Sequence, residues 1–147
     1  MQNSRPILLV EDDRVDAMTV KRAMRELNVA NPVVRAANGE EALEYLRNDD
    51  YDKPCVILLD LNMPRMNGIE FLEAAKADEQ LKRIPVVVLT TSGEKQDIID
   101  SFALNAAGYI VKPLDYETFV ETIRAIDIKN RIKSPFLCII TGTFSHS

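Results

Sequence analysis

Four short aliphatic runs, each closed by polar residues, constrain this chain more than any other feature. Ile7-Leu8-Leu9-Val10 leads into Glu11-Asp12-Asp13, and Val56-Ile57-Leu58-Leu59 leads into Asp60. Val86-Val87-Val88-Leu89 leads into Thr90-Thr91-Ser92, and Tyr109-Ile110-Val111 into Lys112-Pro113. Runs of this length are too short for helices, and an apolar stretch without polar alternation suits a strand buried on both faces. Pro64, soon after Asp60, cannot stay in a central strand, so the third run ends there. Helix-like segments separate the runs, the pattern of βαβ units and a parallel sheet. Parallel strands carry all four polar ends to one edge, where open α/β sheets place their chemistry.

The intervening segments support this reading. From Arg14 to about Leu27, Val20, Ala23, Met24 and Leu27 make one apolar stripe, with Asn31-Pro32 expected to break the helix and Val33-Val34 to begin a short second strand. Asn38-Gly39 turns the chain into a helix carrying Ala42, Leu43 and Leu46, and Asn67-Gly68 starts a third with Ile69, Leu72 and Ala75 inward. A fourth helix is expected from about Lys95 to Ala106, with Gly108 as its C-terminal cap, and a fifth from Asp115, its N-cap, to about Lys129. The expected fold is α/β: a doubly wound, five-stranded parallel sheet with right-handed crossovers, in the order 2-1-3-4-5.

Composition narrows the function. At 147 residues the chain is one domain's length, and its net charge of −5 argues against holding nucleic acid by phosphate neutralisation. No apolar run approaches a membrane span, and residues 1–6 lack a signal peptide's apolar core, so a cytoplasmic location is expected. Cys55 and Cys138 match no CxxC or zinc spacing, and Cys55 reads as an inert core thiol. His146 lies too near the C-terminus to suggest a ligand.

The chemistry therefore falls to the sheet edge. Three or four carboxylates, a hydroxyl and one ammonium would meet there, and carboxylates that close repel by several kcal/mol in a partly dry site. One Lys cannot neutralise them. A divalent cation can, and an all-oxygen donor set selects Mg²⁺ or Mn²⁺ over zinc. Taken singly, each residue has an ordinary role: Asp60 as a turn former, an acid of the Glu11-Asp12-Asp13 cluster as a helix cap, Thr90 and Tyr109 as strand packing, Lys112 as a solvated charge. Their convergence is what points to a site, and Asp13 is the acid most readily given to capping.

Glu11-Asp12, Asp60 in Asp-Leu-Asn-Met-Pro-x-Met-Asn-Gly, Thr90 after Val-Val-Val-Leu, and Lys112 in Gly-Tyr-Ile-Val-Lys-Pro resemble the receiver domain of two-component response regulators over about residues 5–127. The resemblance implies the flavodoxin-like (βα)5 fold and a phosphoacceptor switch. Asp60 would take a phosphoryl group from a sensor histidine kinase, and Glu11, Asp12, Asp60 and the Asn62 backbone carbonyl would hold Mg²⁺. Lys112, preceding a cis Pro113 bond, and Thr90 would contact the phosphoryl group, with Thr91 leaving room for it. Tyr109 would switch rotamer and reshape the face of the fourth helix, fifth strand and fifth helix, where a downstream protein docks. Asn62 and Ser92 would tune dephosphorylation.

The receiver is expected over residues 5–129, with 130–147 as a C-terminal extension and no DNA-binding or catalytic output domain. Within the family, Val-Leu-Thr-Thr-Ser and the second-helix region look like regulators paired with bacteriophytochromes, which often continue into a Phe-Trp-Leu dimer segment. Phe136-Leu137-Cys138-Ile139-Ile140-Thr141 is β-prone and offers pairing with a second copy, but it has no Trp. Three other functions compete. An Mg²⁺-dependent phosphohydrolase with an Asp nucleophile usually carries a second Asp two residues on, where this chain has Asn62. A flavin or nucleotide site would need a phosphate-cradling loop where Glu11-Asp12-Asp13 stands, and a phosphorylation-independent interaction module would not need the acid, Thr and Lys set.

Overall fold

Strands whose side chains are apolar on both sides need cover on both sides, and helices supply it here. The structure is a computed structural model that describes residues 5–61, 66–90, 100, 103–111, 117, 120 and 121. In chain order these form β1 (Ile7–Val10), α1 (Arg14–Glu26), β2 (Val33–Ala36), α2 (Gly39–Arg47), β3 (Val56–Asp60), α3 (Gly68–Ala77), β4 (Val86–Thr90) and β5 (Gly108–Val111). The strands pair in parallel in the order β2-β1-β3-β4-β5, as the sequence leads one to expect.

The sheet divides the core into two layers. Ile7, Leu9, Val56, Leu58, Val87 and Leu89 pack with Ala17, Val20, Ala23 and Met24 of α1 and with Val120. The alternate residues Leu8, Val10, Ile57, Leu59, Val86 and Val88 pack with Leu43 and Leu46 of α2 and Phe71 and Leu72 of α3. Each fully buried aliphatic side chain contributes about 1.5–3 kcal/mol.

Helix ends are set by local hydrogen bonds. Asp13 caps α1, its carboxylate accepting from the amides of Val15 (2.8 Å) and Asp16 (3.1 Å), as expected for one acid of the triplet. The other end of α1 falls where expected, at Leu27, but by a different device. The chain leaves the helix at Asn28, in the left-handed region at φ 62°, with Asn28 N–H donating to Arg25 O and Val29 N–H to Met24 O. That paired pattern is a Schellman stop made by Asn, upstream of Asn31-Pro32. Asn31 instead ties loops together, its amide donating to Arg5 O at 2.7 Å. In α3 the capping box is complete, with Asn67 and Glu70 exchanging two 3.0 Å bonds.

One further expectation is corrected. Gly108 is the first residue of β5, paired with Val87, and the turn before it uses Asn105 at φ 66°. In α3, Leu72 and Ala75 are buried and half-buried Ile69 packs against the same core, as expected, with Phe71 fully buried beside them. Cys55 stands one residue ahead of β3 and is half-buried; burial pushes its thiol pKa up, against a smaller opposite pull from Arg5. Most of the expected fourth and fifth helices, the caps at Asp115, the Lys112–Pro113 bond, Cys138, His146 and the 130–147 segment lie outside the described residues. Among the described residues, no helix is long and apolar enough to cross a membrane.

Candidate functional site

Strand register brings the acids together. Val10 pairs with Leu59, so Glu11 and Asp60, one residue further on, stand level at the carboxyl ends of adjacent strands. Side chains alternate along a strand, which puts both acids on the face that carries Leu9 and Leu58, beneath α1. Glu11 is 1% exposed and Asp60 4% exposed, whereas Asp12 is only half-buried. One carboxylate oxygen from each of Glu11, Asp12 and Asp60 lies within 4.8 Å of the others. At an effective dielectric near 20, two full charges at that distance repel by about 3 kcal/mol. Three acids converging from two strands therefore favour a cation among them.

Backbone contacts hold the acids in place. Glu11 N–H donates to Ala36 O at 3.0 Å, and its carboxylate accepts from Asp13 N–H at 3.3 Å. Arg35, two residues into β2, reaches across with Nε to Glu11 O (2.9 Å) and Nη2 to Asp12 O (2.8 Å). Sequence reasoning missed Arg35. The available signal was a lone cation in the strand next to an acidic loop, at the point where Val33-Val34 ceases to be apolar.

Asp60 is fixed from the other side by α3. Gly68 N–H donates to Leu61 O at 3.2 Å, and a Cβ at Gly68 would lie 2.7 Å from Asp60 O. Only glycine lets the helix start so close to the strand end. Met66 precedes it at φ 54°, and a Cβ at Gly39, the first residue of α2, would meet the Met66 side chain at 2.7 Å. The sequence marks both glycines only as the entries to their helices; their second role, close approach, carries no sequence signal of its own.

Of the remaining site residues, Thr90 ends β4 paired with Val111, and Tyr109 lies in β5 paired with Val88. The chain thus leaves β4 and β5 at the same edge as Asp60. Asn62, Thr91, Ser92 and Lys112 lie outside the described residues. The donor set that is described, three carboxylates with two of them buried, suits a hard divalent cation with oxygen ligands.

Buried acids at the carboxyl edge of a 2-1-3-4-5 parallel sheet define a doubly wound α/β protein with an acidic site where its strand order reverses. The comparisons give the family. Residues 7–124 match the response regulator receiver domain, and the chain belongs to that family, the phosphoacceptor modules of two-component systems. It is 34% identical over 125 residues to response regulator Rcp1 of Synechocystis sp., spanning 82% of this chain and 85% of that protein. The Mn²⁺-bound structure of Rcp1 superposes with a TM-score of 0.77, covering 84% of this chain and 92% of that one. The phosphorylated cyanobacterial phytochrome response regulator RcpA is 37% identical at a TM-score of 0.79, covering 86% of this chain and 93% of that one. The bacteriophytochrome response regulator AtBRR is 40% identical at a TM-score of 0.70, covering 84% and 92%.

Proposed function

We propose that Asp60 is the phosphoacceptor of this response regulator and that Mg²⁺, or Mn²⁺, is held by Glu11, Asp12, Asp60 and the Asn62 carbonyl. The observation that carries the proposal is the convergence of the Glu11, Asp12 and Asp60 carboxylates within 4.8 Å, with Asp60 buried at a strand end. The cation supplies charge neutralisation for an anionic acceptor and an anionic donor. An Asp60 carboxylate oxygen attacks phosphorus and forms the acyl phosphate O–P bond, while the P–N bond of the kinase phosphohistidine breaks and its electrons return to the imidazole nitrogen. Burial of Asp60 beneath α1 keeps its approach fixed, and Asp12 is the least buried of the three acids.

Lys112 pairs with a phosphoryl oxygen, Thr90 donates a hydrogen bond to another, and Thr91 leaves space between them. Thr90 then draws Tyr109 inward, and the face of the fourth helix, fifth strand and fifth helix changes shape for a downstream protein. Asn62 and Ser92 set the access of water to the acyl phosphate. A bacteriophytochrome as the cognate sensor histidine kinase is favoured by the likeness to AtBRR and RcpA, and Mn²⁺ as an alternative ion by Rcp1. The receiver is taken to span residues 5–129, with 130–147 as a C-terminal extension.

Incubation with acetyl phosphate and Mg²⁺, read by intact mass, tests the assignment. Wild type gains one phosphoryl group and Asp60→Asn gains none. Steady turnover of a phosphomonoester by wild type would favour a hydrolase instead.

A further inference from the structure

We infer that Arg35 is a positioning residue for the metal site: its guanidinium clamps the backbone of the Glu11-Asp12 loop so that the Asp12 carboxylate meets those of Glu11 and Asp60. The inference rests on the metal reading given above. Its ground is geometric, two part-buried hydrogen bonds from one side chain to two consecutive carbonyls, at 2.9 and 2.8 Å.

The three acids of the loop differ in what else holds them. Asp13 is tied to α1 as its cap, and Glu11 is buried and bonded to Asp13 N–H. Asp12 is the least buried of the three site acids and caps no helix, so the placing of its backbone decides where its carboxylate goes. Three adjacent like charges favour splaying of such a loop. A guanidinium, planar and charged at any working pH, presents two donors in a fixed fork that orients both peptide planes at once. Arg35 lies in β2 opposite Leu9 of β1, so the clamp is anchored in the sheet itself.

The direction of the effect separates positioning from simple electrostatics. Arg35 is a cation beside a cation site, so its charge alone would weaken metal binding and removing it would tighten binding. A positioning role predicts the reverse. Mn²⁺ titration followed by electron paramagnetic resonance, on full-length folded protein, reads this directly. Arg35→Gln is expected to weaken Mn²⁺ binding about tenfold, the loss of hydrogen bonds to a charged donor. Arg35→Lys keeps the charge without the fork and is expected to weaken binding about threefold. Arg35→Gln binding as tightly as wild type or tighter overturns the inference, as does full retention of affinity in Arg35→Lys. A wild type that takes up no Mn²⁺ would instead sink the metal reading on which the inference stands.

Discussion

The two faces of the central sheet end differently. On the face covered by α1, the alternation Ile7, Leu9 and Val56, Leu58 runs out into Glu11 and Asp60. On the face covered by α2 and α3, Leu8, Val10 and Ile57, Leu59 run on into buried Leu61, against which the start of α3 is pressed. At β1 and β3 one face turns polar at its last residue and the other stays apolar. The acids are therefore one-sided, and the apolar side of these two strands serves as the anvil that fixes the backbone of Asp60.

If that division is real, mutations on the two faces should fail in different ways. The largest effect belongs to the apolar side: Phe71→Ala should cost about 3–5 kcal/mol in denaturant unfolding, since a fully buried ring is replaced by a cavity. Gly68→Ala should cost less, about 1–3 kcal/mol, but should also reduce acetyl-phosphate labelling, because the new Cβ meets Asp60 O. Labelling at the wild-type rate would show that the α3 side does not position the acceptor. Asp13→Ala should lose about 1 kcal/mol as a helix cap while still labelling, which separates the capping acid from its two neighbours. On the polar side, Asp60→Asn in metal-free buffer should be neutral or stabilising by about 1 kcal/mol, as like-charge repulsion falls, and Mg²⁺ should no longer raise its melting temperature. The smallest effect concerns Cys55: with its thiol pKa pushed up by burial, alkylation at pH 8 in a Cys138→Ser background should run slower than for a small free thiol.

What could be read from the sequence, and what could not, follows the same division. The strands, their order and the acids at their ends were legible because unbroken aliphatic runs ending in polar residues have few other foldings. Asp13 as a cap was legible for the same reason, since three adjacent acids exceed what one site needs. The end of α1 near Leu27 was legible, but the device that makes it was not, because Asn28 in the left-handed region looks like any Asn, whereas Asn31-Pro32 advertises a break. Gly108 was misassigned because its strand pairing with Val87 depends on register, which local composition does not carry. Arg35 went unseen because its worth lies in two carbonyls some two dozen residues earlier, and a backbone acceptor leaves no mark on the sequence.

The central claim is that the phosphoryl group lands on Asp60 and nowhere else. Borohydride reduction of protein treated with acetyl phosphate and Mg²⁺ converts a phosphorylated aspartate to homoserine, which peptide mass spectrometry then locates. Homoserine at position 60 alone is the predicted result; homoserine at position 12 or 13, or at no position, would contradict the account.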